Sequence, residues 1–600
     1  MTTIRRLYWG CGDTRPTGWI NADITTDIVV DGLALESNSI DHISSQHALQ
    51  RLEVYYLLTA LEELYRVLKP GGTLRLGLSD FDRSVSAWET GRTDYFWCSE
   101  WETPSGNLIT QLTGYGSTRT PINFEFAEEL LRKSGFERVQ RVEYRQTSCP
   151  YPEIGELDSR PGESFYVEAV KPCLPEPTVV RPGPATQIHL SWNQEPSTSM
   201  TIVWHTPLGH SPAFVEYREL GIDTWRRQLA TSTPSPGAGK LHQAQLTGLL
   251  PATEYEYRAS ADGEEPRSEI FRTRTAPGPE RADFSFAFLC DTGITGRPDG
   301  NATGLTQIVN EILAARPLFI LGGGDYAYAN SDHRFQTIHG AIDAWFVQMQ
   351  PLLARVPFMA QYGNHEIYLR ERFRDWAPRF AFPHGFDHGK NYSFEIGDVH
   401  FTALFVPGPP PSAQQMLWLD DDLSEARRRG KRWLIVYQHE PIYAHGHSHP
   451  ARTEVRRLLA PVLEKHRVDL HLSGHDQNYE RTFPLANVSD RPVPVSGSEN
   501  EYIAGQGVIY AKVSPGGKMS EKRNDFSRFT TEQQPFIAKR DDTAHHWAEV
   551  SVDSRGLAVK VYRVAGDGTP SSLCDSFRIG RGESDWTGTG VVACDPLKSR

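Results

Sequence analysis

Three regimes of hydrophobic patterning follow one another along the chain. Between residues 1 and 172 short apolar runs alternate with one long amphipathic stretch. LYWGCG (7–12), WINAD (19–23), IDHISS (40–45) and TLRLGLSD (73–80) predict strands. VYYLLTALEELYRVL (54–68) puts Leu57, Leu61, Leu64 and Leu68 on one stripe and predicts a helix that the following PGG stops. From there to about 275 helical periodicity disappears. TQIHLSW, SMTIVWHT, AFVEYRE, TEYEYRAS and EIFRTRT alternate with period two, as strands of an antiparallel sandwich do. After 283 the strands become short and wholly apolar, and each ends in a polar cluster.

Pro-rich joints separate these regimes: KPCLPEPTVVRPGPA (171–185) and TRTAPGPERA (273–282). Six hundred residues exceed one core and predict roughly three or four domains of about 100–200 residues. The expected divisions are 1–175, an α/β Rossmann-like domain; 176–280, an all-β sandwich; 281–580, a second α/β domain; and a tail over 581–600. LLPATEYEYR (249–258) resembles the tyrosine corner of a fibronectin III-like sandwich, with Tyr255 at the corner.

Charge and cysteines narrow the setting. With 62 Lys and Arg against 75 Asp and Glu the net charge is −13, which argues against nucleic acid as a partner. EARRRGKR (425–432) reads as the solvated end of a helix. No apolar run approaches the ~18 residues of a membrane span. MTTIRRLYWGCG leads straight into a strand-like segment and resembles no signal peptide, so no leader is expected, and the seven cysteines form no CxxC pair. A reducing, cytoplasmic location is expected, so the sequons at Asn301, Asn391 and Asn487 are read as chance.

The polar clusters of the third regime carry the chemistry. FSFAFL leads to Asp291, PLFILGGG to Asp325 and Tyr328, and VPFMAQY to Asn364 and His365. RWLIVY leads to His439, and VDLHLS to His475 and Gln477. Ligands on open α/β sheets collect at the carboxyl ends of strands, so five such ends in order predict one site. Carboxylates, an amide oxygen, imidazoles and a phenol suit hard or borderline metal ions, and the lack of thiolates excludes a structural zinc knot. An Asp shared by two ions would permit a two-metal phosphoryl-transfer site.

DTG, GDYAY, GNHE, QHEP and GHDQNYER resemble the metallophosphoesterase motifs of purple acid phosphatases, over roughly 283–580, with the preceding sandwich as that family's N-terminal domain. The resemblance implies a four-layer α/β metallophosphoesterase fold. It implies one ion on Asp291, Asp325, Tyr328 and position 477, and another on Asp325, Asn364, His439 and His475. Ferric iron paired with Zn²⁺, Mn²⁺ or Fe²⁺ would follow. Gln477 departs from the pattern, because a His is expected there. It still offers a carbonyl oxygen, and an all-oxygen shell should prefer hard ions and hold them more loosely. His365 is expected to bond the phosphate or protonate the leaving oxygen. The loop AHGHSHP adds His445, His447 and His449, of which His449 matches the family's substrate histidine by spacing from His439.

GCGDTRPTGWINADI, NSIDHISSQHAL and ELYRVLKPGGTLRLGLSD resemble class I S-adenosylmethionine-dependent methyltransferases along nearly all of 1–172. That implies a cofactor cleft at Gly10, Cys11, Gly12 and Asp23, with Asp31 near the adenine. Two departures stand out: the link between the first two strands is too short for a helix, and Gln50-Arg51 replaces an expected Glu-His. The functional expectation is a metal-dependent phosphatase acting on a small phosphoester, fused to a methyltransferase whose acceptor is unknown. The alternative is an impaired phosphoesterase that binds phospho-ligands while the methyltransferase is the active part.

Overall fold

The computed structural model describes residues 4–580 apart from 24–31, 98–99, 173–182, 210–211, 262–266, 280–282, 298, 333, 336, 368–372, 388, 447–448, 487–491, 520–525 and 527–531. Asp31, His447, Asn487 and the 581–600 tail lie outside the described residues.

The first domain is a six-stranded sheet: β1 (Arg6–Trp9), β2 (Ile20–Ala22), β3 (Ile40–Gln46), β4 (Leu68–Ser79), β5 (Glu137–Val142) and β6 (Ser164–Val170). Its order is β2-β1-β3-β4-β6-β5, with the first four strands mutually parallel and β6 antiparallel to both neighbours. As expected, no helix lies between β1 and β2. The amphipathic helix α1 spans Leu57–Val67 and buries Leu57, Leu61 and Leu64 against β1, β3 and β4. It differs from expectation at both ends. Val54–Tyr56 form a 3₁₀ turn, and Leu68 already pairs with Ile40 in the sheet, so β4 runs through PGG rather than starting after it.

Charge is buried here at one conspicuous place. The Arg75 guanidinium, 0% exposed, is clasped by Asp158 at 2.5 and 2.8 Å and by Glu168 at 2.6 Å. A second buried carboxylate links domains. Glu63 on α1 accepts from Leu33 N at 2.5 Å and pairs with Arg66, and Arg374 of the third domain closes over it.

The second domain is a sandwich of two four-stranded antiparallel sheets. One runs in the order 226–229, 214–219, 254–259, 271–274; the other runs 231–234, 240–247, 199–206, 186–191. Three strands beyond the five anticipated complete it. RRQL and TSTP are largely exposed edge strands without alternation to reveal them, whereas KLHQAQLT does alternate, with Leu241, Ala244 and Leu246 buried. Leu250 N donates to the Tyr255 hydroxyl at 2.9 Å, forming the expected corner. The sandwich core is continuous with that of the third domain: Trp192 packs against Phe319 and Phe394, and Tyr257 Oη donates to Ala354 O at 2.6 Å.

The third domain has four layers. Seven strands in the order 358–360, 319–322, 284–289, 545–553, 556–564, 572–580, 501–503 face a second seven-stranded sheet. That sheet runs 392–396, 399–403, 433–437, 470–473, 509–512, 479–482, 537–541. Phe286, Phe319 and Phe401 interlock between them. Helices Leu305–Ala315 and Ile338–Leu353 cover one outer face, and Ala413–Arg428 and Thr453–Lys465 the other. Among the described residues no helix is long and apolar enough to cross a membrane.

Removing Arg75 would strand two buried carboxylates. Breaking one partner from a buried ionic group typically costs ~3–5 kcal/mol. We expect Arg75→Met to abolish or strongly lower the first-domain transition in scanning calorimetry of the full chain, leaving the later transitions in place.

Candidate metal centre and cofactor cleft

The five strand ends of the third domain meet in one place. Asp291 follows the strand Phe284–Leu289, Asp325 and Tyr328 follow Phe319–Gly322, and Asn364 follows Phe358–Ala360. His439 follows Trp433–Tyr437, and His475 and Gln477 follow Leu470–Ser473. Local backbone is bent to make this possible. Asp291, Asp325, Tyr328, His475 and Gln477 all adopt left-handed φ values between 49° and 74°. None is glycine, and such strain collects at functional sites. The loops also approach closely. A Cβ on Gly363 would collide with Asp325 Oδ1 and lie 2.7 Å from Asp325 N.

Two groups of donors share Asp325. In the first, Tyr328 Oη donates to Asp291 Oδ1 at 3.0 Å and lies 3.4 Å from Asp325 Oδ2, while Gln477 Nε2 approaches the same hydroxyl at 3.1 Å. Burial and the two carboxylates push the Tyr328 phenol well above its ordinary value. In the second, His439 Nε2 lies 3.0 Å from Asn364 Oδ1, 3.2 Å from His475 Nδ1 and 3.2 Å from Asp325 Oδ2. His439 Nδ1 donates to Gly323 O at 2.8 Å, so Nε2 of a neutral ring is a lone pair facing other lone pairs. Burial works against a charged His439, but Asp325 and Asp291 outweigh it and hold the ring protonated up to about 10.

Both groups fit cations. A metal ion would replace the one proton that now reconciles the converging acceptors of the second group. In the first group Gln477 Oε1 is buried without a hydrogen-bond partner among the described residues, an orphan that a cation would satisfy. Asp541, His546 and Cys574 form another buried cluster of ligand-type atoms. There Arg563 Nε already sits 2.5 Å from Asp541 Oδ2 and supplies the positive charge.

The histidines differ in setting. His365 N donates to Asp325 Oδ1, its ring lies 4.2 Å from Tyr328, and Nδ1 is 2.7 Å from Asn330 Oδ1. Burial lowers it to about 4, so the ring is neutral and better suited to binding phosphate than to delivering a proton. The half-exposed His449 stands 4.9 Å from the His475 ring. His445 packs against Phe536 and Glu480 instead. His447 is outside the described residues.

In the first domain Gly10, Cys11 and Gly12 turn at the carboxyl end of β1, with Gly10 and Gly12 left-handed and Gly10 N donating to Ala22 O at 2.7 Å. Asp23 is exposed directly after β2. The four residues thus sit at adjacent parallel-strand ends, where a nucleoside cofactor would lie. A cavity of about 160 Å³ opens beyond β3 and β4, lined by His47, Gln50, Ser79, Gln111 and Arg160. The Gln50 that replaces the expected Glu is built into its wall: Oε1 accepts from Ser79 N at 2.9 Å and Nε2 reaches Ser79 Oγ at 3.0 Å.

Comparison with known proteins finds three matching domain families. Residues 185–275 match the purple acid phosphatase N-terminal domain, 284–479 the calcineurin-like phosphoesterase family, and 10–76 a methyltransferase domain. The chain joins a methyltransferase domain to a purple acid phosphatase-like metallophosphoesterase. Purple acid phosphatase 23 of Arabidopsis thaliana is 28% identical over 370 residues, covering 56% of this chain and 74% of that one. Purple acid phosphatase 15 of the same plant is 30% identical over 277 residues, 42% of this chain and about half (51%) of that one. Human acid phosphatase type 7 is 27% identical over 340 residues, 50% of this chain and 71% of that one. The purple acid phosphatase of yellow lupin seeds shares the fold, with a TM-score of 0.57 at 20% identity over 70% of this chain and 78% of that chain.

Several residues of the phosphoesterase centre escaped sequence reasoning. Glu366 accepts from the backbone N–H groups of Asp325, Tyr326 and Gly363 at 2.7, 2.8 and 2.8 Å. Ser514 Oγ donates to Asp291 Oδ2 at 2.8 Å, and Lys518 Nζ lies 4.5 Å over the Tyr328 ring. Only Glu366 left a signal, as an acid directly after His365. Each buried N–H left unsatisfied costs ~1–3 kcal/mol. Glu366→Ala is therefore expected to cost ~3 kcal/mol or more and to lower bound metal, read by thermal unfolding and elemental analysis.

Proposed function

We propose that the phosphoesterase domain hydrolyses a small phosphoester at a dinuclear metal centre, and that the first domain binds S-adenosylmethionine and transfers its methyl group. The observation that carries the first reading is the convergence of seven donor residues on two adjoining positions that share Asp325. In this reading Asp291, Asp325, Tyr328 and Gln477 hold one ion, and Asp325, Asn364, His439 and His475 the other. The first shell is all oxygen, which favours ferric iron, manganese or magnesium; the second, with two imidazoles, suits Zn²⁺, Mn²⁺ or Fe²⁺. When bound, such a pair lowers the pKa of water and neutralises charge on the phosphoryl group.

The chain's own residues do the rest. Asp325, placed in both donor groups, keeps the two positions in contact. The Gly323 carbonyl fixes the His439 tautomer that presents Nε2 to an ion. His365, neutral and beside Asp325, donates a hydrogen bond to a phosphoryl oxygen. His449, on the solvent side of His475, gives its proton to the departing oxygen as the P–O bond breaks. In the first domain Gly10, Cys11 and Gly12 take the methionine end of the cofactor and Asp23 accepts from its ribose hydroxyls. The 160 Å³ cavity beyond β3 and β4 receives the methyl acceptor.

Three measurements test this. Asp325→Ala should remove turnover of p-nitrophenyl phosphate and both ions; full retention of metal would refute the shared carboxylate. Gln477→His should hold the first ion more tightly through dialysis than the wild type does, since imidazole is the stronger donor. If the mutant turns over substrate while the wild type stays inactive with every metal added, the phosphoesterase domain of this chain is a phospho-ligand binder. Calorimetry on the full chain should register S-adenosylmethionine binding, weakened roughly tenfold by Asp23→Ala through loss of the ribose hydrogen bonds (~1.5 kcal/mol).

A further inference from the structure

One buried ammonium organises the loop that overhangs the metal centre. Lys512, at the end of the strand Ile509–Lys512, is 1% exposed. Its Nζ lies 2.7 Å from Asp476 Oδ2 and 2.5 Å from Glu480 Oε2, both carboxylates being buried as well. A charge this deep persists only when paired and hydrogen-bonded, and here one cation serves two anions. Each carboxylate has an oxygen to spare. Among the described residues neither Asp476 Oδ1 nor Glu480 Oε1 has a hydrogen-bond partner.

Each spare oxygen faces a different histidine of the 444–450 loop. Asp476 Oδ1 is 3.7 Å from His449 Nδ1, and Glu480 Oε1 is 3.8 Å from His445 Nδ1. Glu480 Oε2 also accepts from His445 N at 2.9 Å, which ties down the loop backbone. Asn478 Nδ2 reaches Asp476 Oδ2 at 3.1 Å and fixes that carboxylate from the other side. Glu480 thus ties the backbone at His445, and Asp476 Oδ1 stands ready beside His449 Nδ1, both carboxylates being kept in place by one lysine.

We propose that Asp476, anchored by Lys512, is a positioning residue for His449 in phosphoester hydrolysis, and that Glu480 positions the same loop through His445. Asp476 meets Nδ1 of the imidazole, which leaves the Nε2–H for the leaving oxygen. As hydroxide forms the new P–O bond, the pair of the old P–O bond passes to the leaving oxygen. That oxygen takes the Nε2 proton and departs as an alcohol, leaving a neutral imidazole. This rests on the hydrolysis proposed above. It differs from a purely structural salt bridge in one respect: an aryl leaving group that is a stable anion needs no proton, whereas an alkoxide does.

The test compares full-length wild type, Asp476→Asn and Lys512→Met, loaded with manganese, on p-nitrophenyl phosphate and β-glycerophosphate, with metal content measured alongside. A well-placed general acid contributes ~10²–10⁴-fold, so mispositioning should cost kcat on β-glycerophosphate about 10–100-fold in Asp476→Asn. The loss on p-nitrophenyl phosphate should stay within a factor of about three, with KM and metal content unchanged. Lys512→Met should shift the ratio the same way; if it does not fold, the nearly isosteric Asp476→Asn decides alone. Equal losses on both esters, loss of metal, or no loss would overturn the positioning role. A wild type inactive on both esters would overturn the hydrolysis reading and this proposal with it.

Discussion

The phosphoesterase centre hangs on a carboxylate that belongs to neither donor group. Glu366 gathers three backbone N–H groups, from Asp325, Tyr326 and Gly363, and so ties the loop after one strand to the loop after its neighbour. Burial and the nearby Asp325 press its carboxyl up to about 8, and the three donors work against that pressure. With the His365 N–H on Oδ1, this clasp holds Asp325 in a left-handed turn with Oδ2 facing both Tyr328 and His439. The other supports are similar in kind. Ser514 and the His475 N–H both bond Asp291 Oδ2, so the carboxylates of Asp291 and Asp325 are each aimed by donors from a loop other than their own.

The convergence of these donor residues could be read in the sequence because each is tied to a strand end. A buried parallel strand is an unbroken apolar run, so the first polar residues after FILG or WLIVY are conspicuous, and their chemical types name the chemistry. The supports were harder to see because their meaning is spatial. Ser514 looks like any serine, and Lys518 like any surface lysine, until folding brings them against Asp291 and Tyr328. Lys512 was in principle visible as the only charge in IYAKV, but its two carboxylate partners could not be assigned by spacing. The loop histidines divided for the same reason: spacing favoured His449, and packing put His445 against Phe536 instead.

The fold followed a similar rule. Strands with a buried face advertised themselves by alternation or by apolar runs, and the helix α1 by its leucine stripe. Exposed edge strands such as RRQL and TSTP did not, because solvent imposes no periodicity on them. The end of α1 shifted because Leu68 has more to gain in the sheet beside Ile40 than in another half-turn of helix. The missing helix between β1 and β2 was legible from length alone. What the replacement of Glu by Gln50 meant was not, since its amide is spent on Ser79 and wall-building rather than on charge.

The left-handed backbone of the centre also limits how this chain can vary. Outside glycine that conformation costs about 1–2 kcal/mol per residue, and β-branched side chains are excluded from it most strongly. Five donor positions carry this restriction irrespective of what they bind. Position 477 is instructive, because His and Gln are both unbranched at Cβ and can occupy the same turn at φ 49°. Drift at this position is therefore channelled: one donor atom can be exchanged for another while valine, isoleucine and threonine are barred by the main chain before their chemistry is ever tried. In the metal-bound reading proposed above, donor chemistry at 477 can change while the main chain that shapes the cradle stays the same.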